Sequence, residues 1–178
     1  MASLQERMIG AMRGDVKTFE EIEADPSAIG QAVTVIVIGA VAALIGNIFR
    51  AGIGGGIVSL IMTLIGYAIW SFLIVIIGTK VMPEPTTKAD FQEAFRVIGF
   101  TASPGIFNVL AIIPFLGPVI SFVIGLWMLV IGVIAVRQVL DYSNTGRAII
   151  VCLIALIVWW CVVFLVLTPI FVGRLMMS

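Results

Sequence analysis

The sequence predicts an all-α fold: a polytopic integral membrane helix bundle. It has about five transmembrane helices, a cytoplasmic N-terminus and an amphipathic interfacial helix ahead of the first span. Three observations carry this. The 178 residues are 61% hydrophobic and 11% charged, against about 45–50% and 25% in a soluble domain. The apolar residues gather into five stretches near the length a bilayer requires. All the charge falls between those stretches or at their ends. A mean hydropathy of +1.22 excludes an ordinary soluble domain, a disordered chain and a nucleic-acid binder. Ten Lys and Arg balance ten Asp and Glu, so net charge steers no partner.

Residues 1–25 read as a cytoplasmic amphipathic helix, and 26–178 as the transmembrane domain. Leu4, Met8, Met12, Val16, Phe19 and Ile22 recur three or four apart, the spacing of one helix face. Arg7, Arg13 and Lys17 lie mostly off that stripe. A helix over 4–22 lying on the inner membrane face is one reading. Packing of its stripe on the inner ends of the spans is the other. Gly10 and Gly14 each cost roughly 1 kcal/mol relative to alanine, so the helix needs a membrane or a partner to form. The segment has no continuous apolar core and carries Glu6, Asp15, Glu20, Glu21 and Glu23. It is therefore not expected to be a signal peptide.

Asp25-Pro26 reads as a helix start, with aspartate as cap and proline at the first helical position. A hydrocarbon core of about 30 Å needs roughly 20 apolar residues, which residues 29–49 supply before Arg50. Gly52-Ile53-Gly54-Gly55-Gly56 is a poor helix interior and reads as a tight turn. The second span, 57–78, is stopped by Lys80 and Pro83-Glu84-Pro85. Thr87 and Asp90 have capping-box spacing before a short amphipathic helix through Phe91, Phe95 and Ile98. That helix leads into the third span, 97–113, interrupted by Pro104-Gly105. Pro114-Phe115-Leu116-Gly117-Pro118 makes a turn, which would become a re-entrant tip if the third and fourth stretches merged. The fourth span covers 119–136 and the fifth 148–171. Between them Arg137 and Asp141 are four apart, close enough to pair if the helix continues.

Orientation follows from the basic residues. With the N-terminus inside, the inner segments hold Arg7, Arg13, Lys17, Lys80, Lys88, Arg96, Arg137 and Arg147. The outer segments hold Arg50 and Arg174.

No charge lies deep in a span, and intramembrane charge is the usual mark of an ion pathway. Histidine is absent, which removes the commonest general base. No catalytic, cofactor or metal site can be assembled. Cys152 and Cys161 read as apolar fillers. The candidate lipid or partner contacts are Arg7, Arg13, Lys17, Arg96, Arg137 and Arg147, as interfacial anchors or phosphate ligands. Ser59, Thr63, Tyr67 and Ser71 recur every fourth residue, so they share one slowly drifting face. That face is either a packing seam or the wall of a wet groove. Ser103, Pro104 and Gly105, with Asn108, form either a kink satisfied by nearby hydroxyls or a hinge.

Several segments in order resemble a known family. Thr18-Phe19-Glu20-Glu21-Ile22-Glu23-Ala24-Asp25-Pro26-Ser27-Ala28 precedes Gln31-Ala32. Phe95-Arg96-Val97-Ile98-Gly99-Phe100 leads to Ser103-Pro104-Gly105. Ile113-Pro114-Phe115-Leu116-Gly117, Trp127 and Ala135-Val136-Arg137-Gln138 follow. This order resembles the Yip family, the Ypt/Rab-interacting membrane proteins, in its prokaryotic branch. The resemblance implies five membrane helices, a cytoplasmic N-terminus and no enzymatic activity. Eukaryotic relatives act in vesicle traffic and contact prenylated Rab GTPases from the cytoplasmic side. Their longer N-terminal regions argue against carrying the small-GTPase contact over to this chain. The expectation is a membrane-organising scaffold or adaptor in a bacterial or archaeal inner membrane. Its expected partners are membrane lipids and either a second copy or another membrane protein. A small transporter, channel or lipid-moving protein is the alternative, as is an accessory subunit of a larger complex.

Overall fold

The computed structural model describes the backbone of residues 2–176 and the side chains of residues 2–49 and 54–164. Every regular element among them is helical. The N-terminal segment forms two helices, α1 (Leu4–Met12) and α2 (Val16–Ala24), where the periodicity predicts one. Gly14 divides them. Its φ of 68° is a left-handed conformation that glycine adopts without a Cβ penalty, and it lets the chain fold back. Ser3 and Glu6 close a capping box on α1. Asp15 accepts from the Lys17 N–H at the start of α2.

Next come α3 (Ala28–Gly46) and α4 (Ile48–Ile76), the latter ending in a wide π turn, Ile77–Val81. The break between the two spans is at Asn47, and the glycine-rich run continues the helix. Asn47 Nδ2 donates to the Ala43 carbonyl at 3.0 Å, covering an acceptor that the end of α3 leaves unpaired. Gly56 is buried where the Leu44 side chain crosses α4, and a Cβ there would collide with it. The glycine serves close packing rather than a turn. Asp25 does not cap α3 directly. Its Oδ1 accepts from the Ser27 N–H at 2.9 Å, in a turn ahead of the helix.

α5 (Phe91–Phe100) begins with a capping box between Asp90 and Glu93, one turn later than the Thr87–Asp90 spacing predicts. The Thr87 hydroxyl instead accepts from the Glu84 N–H. A 3-10 segment (Ser103–Ile112) continues the third span after a 40° bend. Pro104 supplies no N–H at the bend. The Thr101 and Ser103 hydroxyls donate to the Ile98 and Phe100 carbonyls, each at 2.6 Å. The kink is thus satisfied internally.

α6 (Gly117–Val139) and α7 (Thr145–Met176) complete the bundle. Among the described residues four helices are long and apolar enough to cross a membrane, or five if the bent pair is one span. α3 lies along the broken third span. Gly39 meets the Ala102 carbonyl and Gly105, and Gly46 meets the Asn108 backbone. The core joins Val35, Ile36, Val97, Phe100, Val136, Leu140 and Val151 to Phe19 and Ile22 of α2. The side chains of Arg50 and Arg174 lie outside the described residues.

Candidate functional site

Polar chemistry concentrates at the end of the bundle where α1, α2 and two loops meet. Arg7 is 1% exposed, and its guanidinium reaches Glu21 at 2.9 Å and Asp25 at 2.7 Å. It also donates to Gln31 Oε1 of α3 at 3.0 Å. Arg96 is buried on α5 and donates from Nη2 to the Glu23 carbonyl at 2.6 Å. Its Nε has no partner among the described residues. Trp127 of α6, stacked on Phe107, donates from Nε1 to the Met12 carbonyl at 2.9 Å. Phe19 and Ile22 of the N-terminal stripe are fully buried against the bundle, while Val16 of the same stripe is 43% exposed. Arg7 and Arg96 therefore face inward, whereas Arg13 and Lys17 are exposed.

These contacts set the local titration. The Ser27 hydroxyl and then Arg7 hold the Asp25 carboxyl down at about 2. Glu23 is pushed up to about 7, first by burial and then by Asp141 and Glu93. Arg96 acts in the opposite direction.

The two loops are tied together. Glu84 accepts from the Ser143 N–H at 3.1 Å and pairs with Arg147 Nε at 3.2 Å. The Tyr142 hydroxyl reaches under the π turn to the Met82 carbonyl at 2.7 Å. Arg137 does not pair with Asp141. A left-handed Asp141 (φ 51°) turns the chain, and Arg137 donates to the Tyr142 and Ser143 carbonyls and to Thr145 Oγ1. A recess of about 310 Å³ lies here, lined by Val16, Arg137, Gln138, Asp141, Ser143 and Thr145 among others.

The second feature lies among the spans. α4 and α6 stand apart, and a cleft of about 650 Å³ opens between them, backed by α7 and the end of α5. Ser59, Thr63 and Tyr67 line it as one stripe, joined by Met62, Gly66 and Trp70. Gly132, Val133, Cys152 and Trp159 form much of the facing wall. Ser71, the fourth member of the stripe, is buried outside the cleft and donates to the Tyr67 carbonyl. The Thr63 hydroxyl donates to the Ser59 carbonyl at 2.8 Å. The Tyr67 phenol lies in hydrogen-bonding reach of Thr101. The wall that the sequence offers as polar is thus largely self-satisfied, and the cleft is apolar. Ser103, Pro104 and Gly105 are buried away from it against α3, and Asn108 donates to the Gly105 carbonyl at 3.1 Å.

The α6 and α7 walls are missed by sequence reasoning. Ile149, Cys152, Leu156 and Trp159 have the helical spacing of any lipid-facing stripe, and nothing in the pattern marks them as a wall. Among the described residues no His, Cys, Asp and Glu cluster has metal-site geometry.

Neither a curated protein nor a solved structure matches the chain. The Yip1 domain family does, over residues 10–175. That match takes in α2, both loops, all the spans and the cleft. The chain thus belongs to the Yip1 domain family, multi-pass, trafficking-related and generally non-enzymatic membrane proteins.

Proposed function

We propose that this protein is a membrane-organising scaffold or adaptor of the prokaryotic branch, with its N-terminus inside the cell membrane. One observation carries the reading. The charged groups gather on a single face and are largely consumed in holding α1, α2 and the two loops together. Arg13, Lys17 and Lys88 remain exposed on that face. A rigid surface beside the membrane, on which these cations stand among exposed Glu6, Asp15, Glu20 and Asp90, suits contact with lipid headgroups or with a partner of complementary charge pattern, a second copy or another membrane protein. Arg137 and Arg147 border it. Arg7 and Arg96 act indirectly, by fixing the hairpin that presents the exposed cations.

Purification in mild detergent tests this, comparing wild type with the doubly reversed Arg13→Glu/Lys17→Glu protein. Wild type is expected to retain a stoichiometric membrane partner, or itself as an oligomer, and the variant to lose it while remaining folded. Retention by the variant would move the docking face elsewhere. Gradient-driven ion or solute flux in vesicles containing the protein alone would replace the scaffold reading by a transport one.

A further inference from the structure

The cleft between α4, α6 and α7 has the dimensions of a lipid site. On α7 it runs from Ile149 to Trp159, a rise of about 15 Å at 1.5 Å per residue. A similar rise of about 16 Å separates Ser59 from Trp70 on α4. Each is about half of the roughly 30 Å hydrocarbon core, the depth of one leaflet. A spanning helix of a second copy would need a groove along the full core, twice this length. The volume of about 650 Å³ falls in the roughly 300–1,000 Å³ range of ligand sites.

The cleft is open because glycines face it. A Cβ on Gly132 would meet nothing within 4 Å, and one on Gly66 would only touch Trp159 at 3.9 Å. The cleft lining itself carries no charge, but a cation and a hydroxyl stand beyond its end toward the loops. One helical turn beyond Val133 on α6 is Arg137, and one turn before Ile149 on α7 is Thr145. The two side chains meet at 3.3 Å. Arg137 is exposed and uses three of its five guanidinium N–H groups on the loop, which leaves two for an anion. Asp141 shares the recess that Arg137 and Thr145 line and is the one carboxylate in that lining that an anion there has to face.

We propose that this cleft holds one acyl chain of an anionic phospholipid, whose phosphate sits at Arg137 and Thr145. The apolar slot supplies the binding area, and Arg137 supplies the selection for negative charge. The inference is independent of the scaffold reading, because a bound lipid is compatible with either role.

The full chain, reconstituted in phosphatidylcholine vesicles, tests it. The vesicles carry a trace of phosphatidylglycerol or of phosphatidylcholine with a photoactivatable acyl chain, and adducts are mapped by peptide mass. Adducts are expected on the peptides bearing Met62, Met128, Leu153 and Leu156, several-fold above the lipid-facing Val33, Val41 and Ile45 of α3. Phosphatidylglycerol should label more strongly than phosphatidylcholine. Gly132→Leu should remove the excess by filling the slot. Gly125→Leu, at an open position outside the slot, should not, and serves as a folding control. Arg137→Gln should keep the adduct positions and lose the preference for the anionic lipid. Equal labelling of the cleft and of α3 would mean an ordinary lipid shell and overturn the proposal. So would protein–protein crosslinks in the cleft, which would assign it to a second copy.

Discussion

Single atoms decide several of the contacts. Gly46 and Gly30 lie on the same helix, yet a Cβ on Gly46 would run into the Asn108 carbonyl, whereas one on Gly30 would meet nothing within 4 Å. Gly46→Ala should therefore destabilise the protein by roughly 1–3 kcal/mol, the usual cost of overpacking. Gly30→Ala should be neutral or stabilising by up to about 1 kcal/mol through helix propensity. Thermal melts in detergent give both values, and equal effects would refute the close α3 crossing. Glu23 makes a different kind of prediction. Its carboxyl is raised from an ordinary 4.5 to about 7, so the folded state binds an extra proton between those values. Stability is then full below about pH 4.5 and is lost as pH rises through 7. Asp25, held at about 2, acts oppositely, but only at strongly acidic pH. Docking of α2 should weaken between about pH 4.5 and 7, seen as faster amide exchange over α2. Glu23→Gln should flatten that dependence.

At the level of elements, hydropathy makes the spans legible because a membrane helix must be apolar all round. What it does not reveal is which residues break or join them. The glycine-rich run at residues 52–56 looks like a turn because glycine is scored by backbone freedom. In the bundle, Gly56 instead supplies room for Leu44. Asn47, the actual break, is a single weakly punctuating residue. The stripe from Ser59 to Tyr67 is legible as a face of α4, but the cleft it lines needs α6 and α7, brought in from residues 128–159 by tertiary packing. Arg7 is the clearest case. Its position off the apolar stripe suggests solvent, yet Glu21, Asp25 and Gln31 converge on it. These three come from α2, the following turn and α3, so the cluster locks the hairpin to the first span. Arg7→Leu should loosen the hairpin by about 2–3 kcal/mol, the scale of charge-assisted hydrogen bonds. Amide exchange over α1 and α2 should rise while the spans stay protected. A cooperative loss of the whole bundle would instead make the hairpin part of the folding core.

Over the whole molecule, the segments between the spans sort to opposite ends. Thr86 donates to the Asp141 carbonyl, the Ser143 N–H to Glu84, and Gln138 to Glu20. The hairpin, the loop after α4 and the loop after α6 therefore share one end. Eight of the ten basic residues belong to those segments or to the helix stretches beside them. Asn47 and the left-handed, 95% exposed Phe115 mark the other end. The positive-inside rule then predicts the hairpin in the cytoplasm and Phe115 outside. This requires the bent third stretch to cross completely. Ten α-helical residues and ten 3-10 residues rise about 15 and 20 Å, enough for a core of about 30 Å even with the bend. Cysteine labelling checks the arrangement, after Cys152 and Cys161 are replaced by alanine. A membrane-impermeant maleimide should label Phe115→Cys in intact cells, and Lys88→Cys only after permeabilisation. The opposite pattern would invert the protein. Protection of Phe115→Cys from both sides would make the turn at 114–116 a re-entrant tip and reduce the spans to three full crossings around a buried hairpin. That outcome would leave the hairpin and the C-terminal end of α7 on the sides assigned here, because removing a pair of crossings preserves parity. The labelling of Phe115 alone therefore decides between five crossings and three.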